Sequence, residues 1–160
     1  MWKSERVLIL VADDDPDDRM LIQEAFQELD THCCLRFVED GLELVDYLYR
    51  RNKYSDPMNS PRPDLILLDI NMPRMNGYDA LNLIRSNGFK DIPVIMLTTS
   101  DEEQVVLKSY MLGANAFVKK PLSFEELRMA AELITRFWLG LAALPPKPLA
   151  NSTPGWHTAD

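Results

Sequence analysis

The chain has 160 residues, 46% of them apolar and 26% charged, with a formal charge of −8 at pH 7. That length suits one domain with one sizeable core, and an acidic balance without a basic stripe argues against nucleic acid or an anionic membrane as a direct partner. No stretch approaches the roughly eighteen consecutive apolar residues of a membrane span, and the opening MWKSERVLILVADDD lacks the small-residue cleavage site of a signal peptide.

RVLILVA, residues 6–12, is a nearly continuous apolar run, as a parallel strand covered on both faces requires. The spacing of Ile22, Phe26 and Leu29 predicts a helix over residues 16–29. A strand CCLRFVE follows. Its adjacent cysteines, Cys33 and Cys34, would be strained as a vicinal bridge and are expected as buried free thiols, which fits a reducing cytoplasm. A helix is predicted over residues 41–51, with Leu44, Val45, Leu48 and Tyr49 in one stripe, then a polar, Pro-rich loop at 53–63. The strand DLILLDI, a helix over 76–86, the strand IPVIMLTT and a helix over 101–112 come next. Gly113 stops that helix, NAFVK is a short fifth strand, and a last helix covers 124–141.

Ser123 with Glu126 forms a capping box, with Leu122 and Leu127 as its hydrophobic staple. Ser100 with Glu103 repeats the box, and Asp40 with Glu43 gives a looser version. From residue 145 the texture becomes Pro-rich and aperiodic, so a single domain over 1–144 and a disordered tail over 145–160 are expected. His32 and His157 read as surface residues. Five β–α units with short connections imply an α/β fold with a doubly wound parallel sheet, whose functional crevice lies at the carboxyl ends of the strands.

That edge collects Asp13 and Asp14, Asp69, Thr98 and Thr99, and Lys119 and Lys120, one group from each of four strands. Clustered carboxylates suit a hard divalent cation, and Mg²⁺ is the natural candidate because it keeps waters for an incoming phosphoryl group. An Asp at a strand tip beside a cation and a lysine is a phosphoryl acceptor in chemical terms. Of the five acids in DDDPDD, Asp13 and Asp14 are left for the metal. Asp15, before Pro16, reads as a helix N-cap, while Asp17 and Asp18 fall in the first helical turn, where the dipole favours negative charge.

LVADDDPDD, LILLDINMPRMNGYD, PVIMLTTS and GANAFVKKPL, in that order and on those elements, resemble the receiver domain of two-component response regulators. The resemblance covers about residues 6–137 and implies a flavodoxin-like sheet of order 2-1-3-4-5 with five helices. It implies that Asp69 accepts a phosphoryl group from a phosphohistidine, that Asp14 is a direct Mg²⁺ ligand beside Asp13, and that Asn71 lends its backbone carbonyl to the metal. It makes Thr98 the switch hydroxyl, Phe117 the rotating aromatic, and Lys120 the conserved-type lysine, with a cis bond to Pro121. Lys119 is left to solvent.

The 53–63 loop, the DDDPDDRMLIQEAFQE stretch and the aromatic RFWLGLAALPP end are similar to a subgroup of single-domain regulators that accompany bacteriophytochromes. The implied partner is a histidine kinase, a bacteriophytochrome-type sensor in that subgroup. The last helix carries Phe124, Leu127, Ala131, Ile134, Trp138 and Leu141 at heptad-like steps, with Phe137 and Leu139 widening the apolar surface, so core packing, kinase docking and homodimer pairing stand together as readings. Two rivals to the phosphorylation switch remain. One is a haloacid-dehalogenase-like phosphatase, whose second Asp is Asn71 here and cannot shuttle a proton. The other is a binding module without phosphorylation.

Overall fold

The computed structural model describes residues 6–29 and 33–147. His32, His157 and the expected tail from residue 148 onward lie outside the described residues. Five strands, β1 (Val7–Ala12), β2 (Cys33–Val38), β3 (Leu65–Leu68), β4 (Val94–Thr98) and β5 (Ala116–Lys119), alternate with α1 (Pro16–Gln27), α2 (Gly41–Tyr49), α3 (Gly77–Ser86), α4 (Glu103–Met111) and α5 (Phe124–Thr135). All strand pairs are parallel, in the order β2-β1-β3-β4-β5.

The apolar runs of the central strands serve two cores. Leu10, Ile66, Leu68, Val94 and Met96 face α2 and α3 on one side, while Ile9, Val11, Leu65, Leu67, Ile95 and Leu97 face α1 and α5 on the other. Period-two alternation inside a continuous hydrophobic run is what a doubly covered sheet demands.

Several expectations change in detail. The α1 and α2 helices end two residues early, at Gln27 and Tyr49, and Arg50 closes α2 in the left-handed region at φ 54°. The reciprocal box at Ser100 is absent: α4 starts behind Glu102, whose side chain makes no cap, and Ser100 Oγ accepts from the Glu102 N–H at 3.4 Å. Ser123 does cap α5, accepting from the Glu126 N–H at 3.2 Å. Its staple does not form, because Leu122 is 94% exposed while Leu127 packs toward the α1/α5 core. The last helix is α-helical only to Thr135 and widens to a π-helix over Arg136–Leu141, where the Ala142 N–H reaches the Phe137 carbonyl at 2.6 Å. Among the described residues no peptide bond is cis, so Lys120–Pro121 is trans, against expectation.

Cys33 and Cys34 are outside any disulfide but only half-buried, since β2 is the sheet's border strand and is open on one side. The 53–63 loop is ordered by two 3₁₀ turns, Asn52–Tyr54 and Pro57–Asn59. Tyr54 packs tilted against Tyr47, ring centroids 5.0 Å apart, and donates its hydroxyl to Glu43 at 2.6 Å; Tyr47 donates to the Pro61 carbonyl at 2.7 Å, and the buried Ser60 hydroxyl to the Tyr54 carbonyl at 2.9 Å. No helix among the described residues is long and apolar enough to cross a membrane.

Candidate functional site

Strand register builds the site. Ala12 pairs with Leu68, so the residues that follow them, Asp13 and Asp69, leave neighbouring strands side by side. The Asp69 N–H bonds to the Ala12 carbonyl at 3.0 Å and the Asp13 N–H to the Val38 carbonyl at 3.1 Å, which carries the ladder just past the strand ends. On the other side Thr98 pairs with Lys119, and the Lys120 N–H meets the Thr98 carbonyl at 2.6 Å. Four strand ends thus converge on one crevice, as this topology requires.

Asp13 and Asp69 are buried, and Asp14 is exposed at the rim. One oxygen from each of the three lies within 4.8 Å of the others. Asp13 Oδ1 accepts from the Asp15 N–H at 3.0 Å and Asp69 Oδ1 from the Ile70 N–H at 2.7 Å. Lys120 reaches across with Nζ 2.6 Å from Asp13, 2.8 Å from Asp69 and 2.8 Å from Asp18. Burial works against the charge on Lys120, but the hydrogen bonds it donates to its three acidic partners outweigh it and hold the ammonium above the ordinary lysine value. Burial also pushes the Asp13 carboxyl up, and the Lys120 and Asp15 hydrogen bonds only partly oppose it. A buried acid kept reluctant to ionise is a group whose charge a cation would stabilise.

Thr98 is fully buried, and its Oγ1 has no hydrogen-bond partner among the described residues. Such an atom calls for an explanation, because an unmade buried hydrogen bond costs about 1–3 kcal/mol. Phe117 is half-buried on β5 and packs against the α2/α3 core, and Asn71 is exposed two residues past Asp69. Lys119 is half-exposed and pairs with Asp101 at 3.2 Å rather than standing alone in solvent.

Two residues escaped the sequence reading. The sequence offers Asp18 only a helix-dipole role, yet it is the third partner of Lys120; a first-turn acid looks the same in sequence whichever way it faces. Gly77 packs so closely under the site that a Cβ there would fall on the Asp69 carbonyl oxygen. Its place after Asn76, a helix N-cap, carried no hint of that.

The donor set fits a hard divalent cation. It offers carboxylate oxygens only, two of them buried and one open to incoming solvent.

An acidic trio beside a lysine and an unspent hydroxyl, at the carboxyl edge of a 2-1-3-4-5 sheet, narrows the class to one: the chain belongs to the family of the response regulator receiver domain, whose model matches residues 9–132. Within that family it is 38% identical to the response regulator Rcp1 of Synechocystis sp. over 141 residues, 88% of this chain and 93% of that protein. Among solved structures it is similar to the phosphorylated cyanobacterial phytochrome response regulator RcpA, at 36% identity and a TM-score of 0.81, covering 88% of this chain and 99% of that one. The response regulator RPA3017, described in red light signalling of R. palustris, matches at 34% identity and a TM-score of 0.82 with the same coverage. Rcp1 also has a solved Mn²⁺-bound form, at 36% identity and a TM-score of 0.79, covering 88% of this chain and 99% of that one.

Proposed function

We propose that this receiver domain, spanning about residues 1–144, is a phosphorylation switch in which Asp69 takes a phosphoryl group from the phosphohistidine of a partner kinase. The observation that carries the reading is the Lys120 ammonium seated on both Asp13 and Asp69 while Asp14 completes an all-oxygen trio. Asp13, Asp14 and Asp69, with the Asn71 carbonyl, would hold Mg²⁺, which supplies positive charge opposite the oxygens of the transferring group. An Asp69 oxygen attacks phosphorus, the P–N bond to the imidazole breaks, and its electron pair returns to the ring nitrogen. Asp69 is thereby left as an acyl phosphate. Lys120 offsets the charge that collects on the phosphoryl oxygens.

The new group brings about −1.5 to −2 charges and three strong acceptors. The unpartnered Thr98 hydroxyl is a ready donor for one of them, and its movement opens space for Phe117 to turn inward. Moving a two-state equilibrium from 1:99 to 99:1 takes about 5.5 kcal/mol, within reach of a few charge-assisted hydrogen bonds in a shielded pocket. The names of the relatives, among them a bacteriophytochrome response regulator, support a bacteriophytochrome-type kinase as the phosphodonor. Met129, Leu133, Phe137 and Leu141 leave an exposed apolar strip on α5 and its π-helical end, the surface we assign to kinase docking or homodimer pairing.

The test is label uptake from a phosphorylated kinase or from acetyl phosphate with Mg²⁺, with sedimentation before and after. Wild type takes up label and Asp69→Asn does not. Uptake that survives Asp69→Asn, or steady turnover of a phosphomonoester, overturns the reading.

A further inference from the structure

A lysine ammonium has three N–H donors and no acceptor. Lys120 has three carboxylate neighbours to match: Asp13 Oδ2 at 2.6 Å, Asp18 Oδ2 at 2.8 Å and Asp69 Oδ2 at 2.8 Å. Two of these partners are shared. Asp13 and Asp69 belong to the trio with one oxygen each converging within 4.8 Å, and a cation or a phosphoryl group held there would draw on the same two carboxylates. Asp18 stands outside the trio. It is presented by α1, whose start is fixed by the Asp15 cap on the Asp17 N–H and by Pro16. The next residue, Arg19, ties that turn to the Asp13 carbonyl at 2.7 Å. Asp18 is therefore held by the helix and not by the crevice it borders.

We propose that Asp18 is a positioning residue: it anchors the Lys120 ammonium when Asp13 and Asp69 turn to a cation and a phosphoryl group, and so keeps that ammonium aimed at Asp69. The proposal rests on Asp69 being the phosphoacceptor. Lysine is a point charge on a flexible four-carbon stem, so without a tether its ammonium spreads over many positions. Of the three tethers in this structure, Asp18 is the one that loading the site does not call away. A first-turn acid that served only the helix dipole would act without Lys120, and the two roles separate by experiment.

Four variants suffice: Asp18→Asn, Asp18→Ala, Lys120→Ala and the double Asp18→Ala/Lys120→Ala. Two quantities are measured, the rate of uptake from acetyl phosphate with Mg²⁺, and the ¹⁵N ammonium signal of Lys120 by NMR with and without Mg²⁺. A hydrogen-bonded ammonium exchanges its protons slowly enough to be seen, and a free one does not. Asp18→Ala is expected to slow uptake about tenfold or more, the scale on which small misplacements act. It also erases the ammonium signal of the Mg²⁺-loaded protein. Asp18→Asn, which keeps an acceptor oxygen in place, restores part of both, and in the Lys120→Ala background the Asp18 change has no further effect.

A Mg²⁺-loaded Asp18→Ala protein with wild-type uptake and an intact ammonium signal overturns the proposal, as does an undiminished Asp18 effect without Lys120. If wild type itself takes up no phosphoryl group, the phosphoacceptor reading fails separately. The anchor is then judged by whether the ammonium signal of the Mg²⁺-loaded protein survives Asp18→Ala.

Discussion

Thr98 and Glu43 show how much a single buried polar group decides. Thr98 Oγ1 is buried without a partner among the described residues, so its hydroxyl lowers stability until something arrives to accept from it. Thr98→Val keeps the shape and removes the hydroxyl. Urea unfolding is expected to show the variant about 1 kcal/mol more stable than wild type, while its structural response to beryllofluoride is lost. Glu43 is the opposite case. Burial raises its pKa, but Lys53 at 2.7 Å, the Tyr54 hydroxyl and the Glu39 N–H outweigh burial and hold its carboxyl below the ordinary glutamate value of 4.5. The folded form then binds this proton less tightly than the unfolded chain does. Its stabilisation is full above the ordinary value and fades as pH falls through the depressed one. Thermal melts across that acidic range should be flatter for Glu43→Gln than for wild type, with the difference vanishing at the lowest pH.

The helices differ in how firmly their sequences define them. The starts of α1, α2, α3 and α5 each have a side chain that accepts from the first turn, Asp15, Asp40, Asn76 and Ser123. The starts of α1, α2 and α5 are where the sequence puts them and that of α3 is one residue later, with Asn76 as the cap, because a cap is a local interaction over two or three residues. In α4 the cap is missing and Ser109 is the sole buried residue, so local signals misplace its start by two residues. Tyr78 helps to hold it, with its ring 4.3 Å from the Lys108 ammonium and its hydroxyl 3.4 Å from the Val105 carbonyl. The α3 helix is tied to the site instead. The Gly77 N–H bonds to the Ile70 carbonyl at 2.7 Å, and the space beside Gly77 is filled by Asp69 backbone. Gly77→Ala must push that backbone aside. Denaturant unfolding is expected to show a loss of about 1–3 kcal/mol, the usual cost of overpacking, and phosphoryl uptake should fall with it.

Across the molecule, two hydrophobic cores hold a sheet whose exposed end gathers like charges. Asp13, Asp18 and Asp69 share one lysine and Asp14 stands beside them, so the carboxyl edge is under electrostatic load in a chain already at −8. A cation relieves that load only in the folded state, where the oxygens converge. Mg²⁺ at a hundred times its dissociation constant should therefore add about 2.7 kcal/mol of stability, read as a rise in melting temperature that saturates with concentration. Asp14→Ala should abolish most of that rise. It should leave the metal-free melt nearly unchanged, because Asp14 is exposed and surface substitutions shift stability by about 0.5 kcal/mol or less.

The fold was legible in the chain because its signals are local and repeated. Apolar runs of four to six residues mark β1, β3 and β4, and caps mark most helices. Parallel strands joined by helices must then bring Asp13, Asp14, Asp69, Thr98 and Lys120 to one edge, since every strand ends there. What the sequence left undetermined depends on residues far apart meeting at hydrogen-bond distance. Lys120 and Asp18 are separated by 102 positions, and which first-turn acid the lysine chooses follows from how α1 and β5 lie across the sheet. The contact under Gly77 is settled in the same way, by packing of α3 against the Asp69 backbone that no short window of sequence contains.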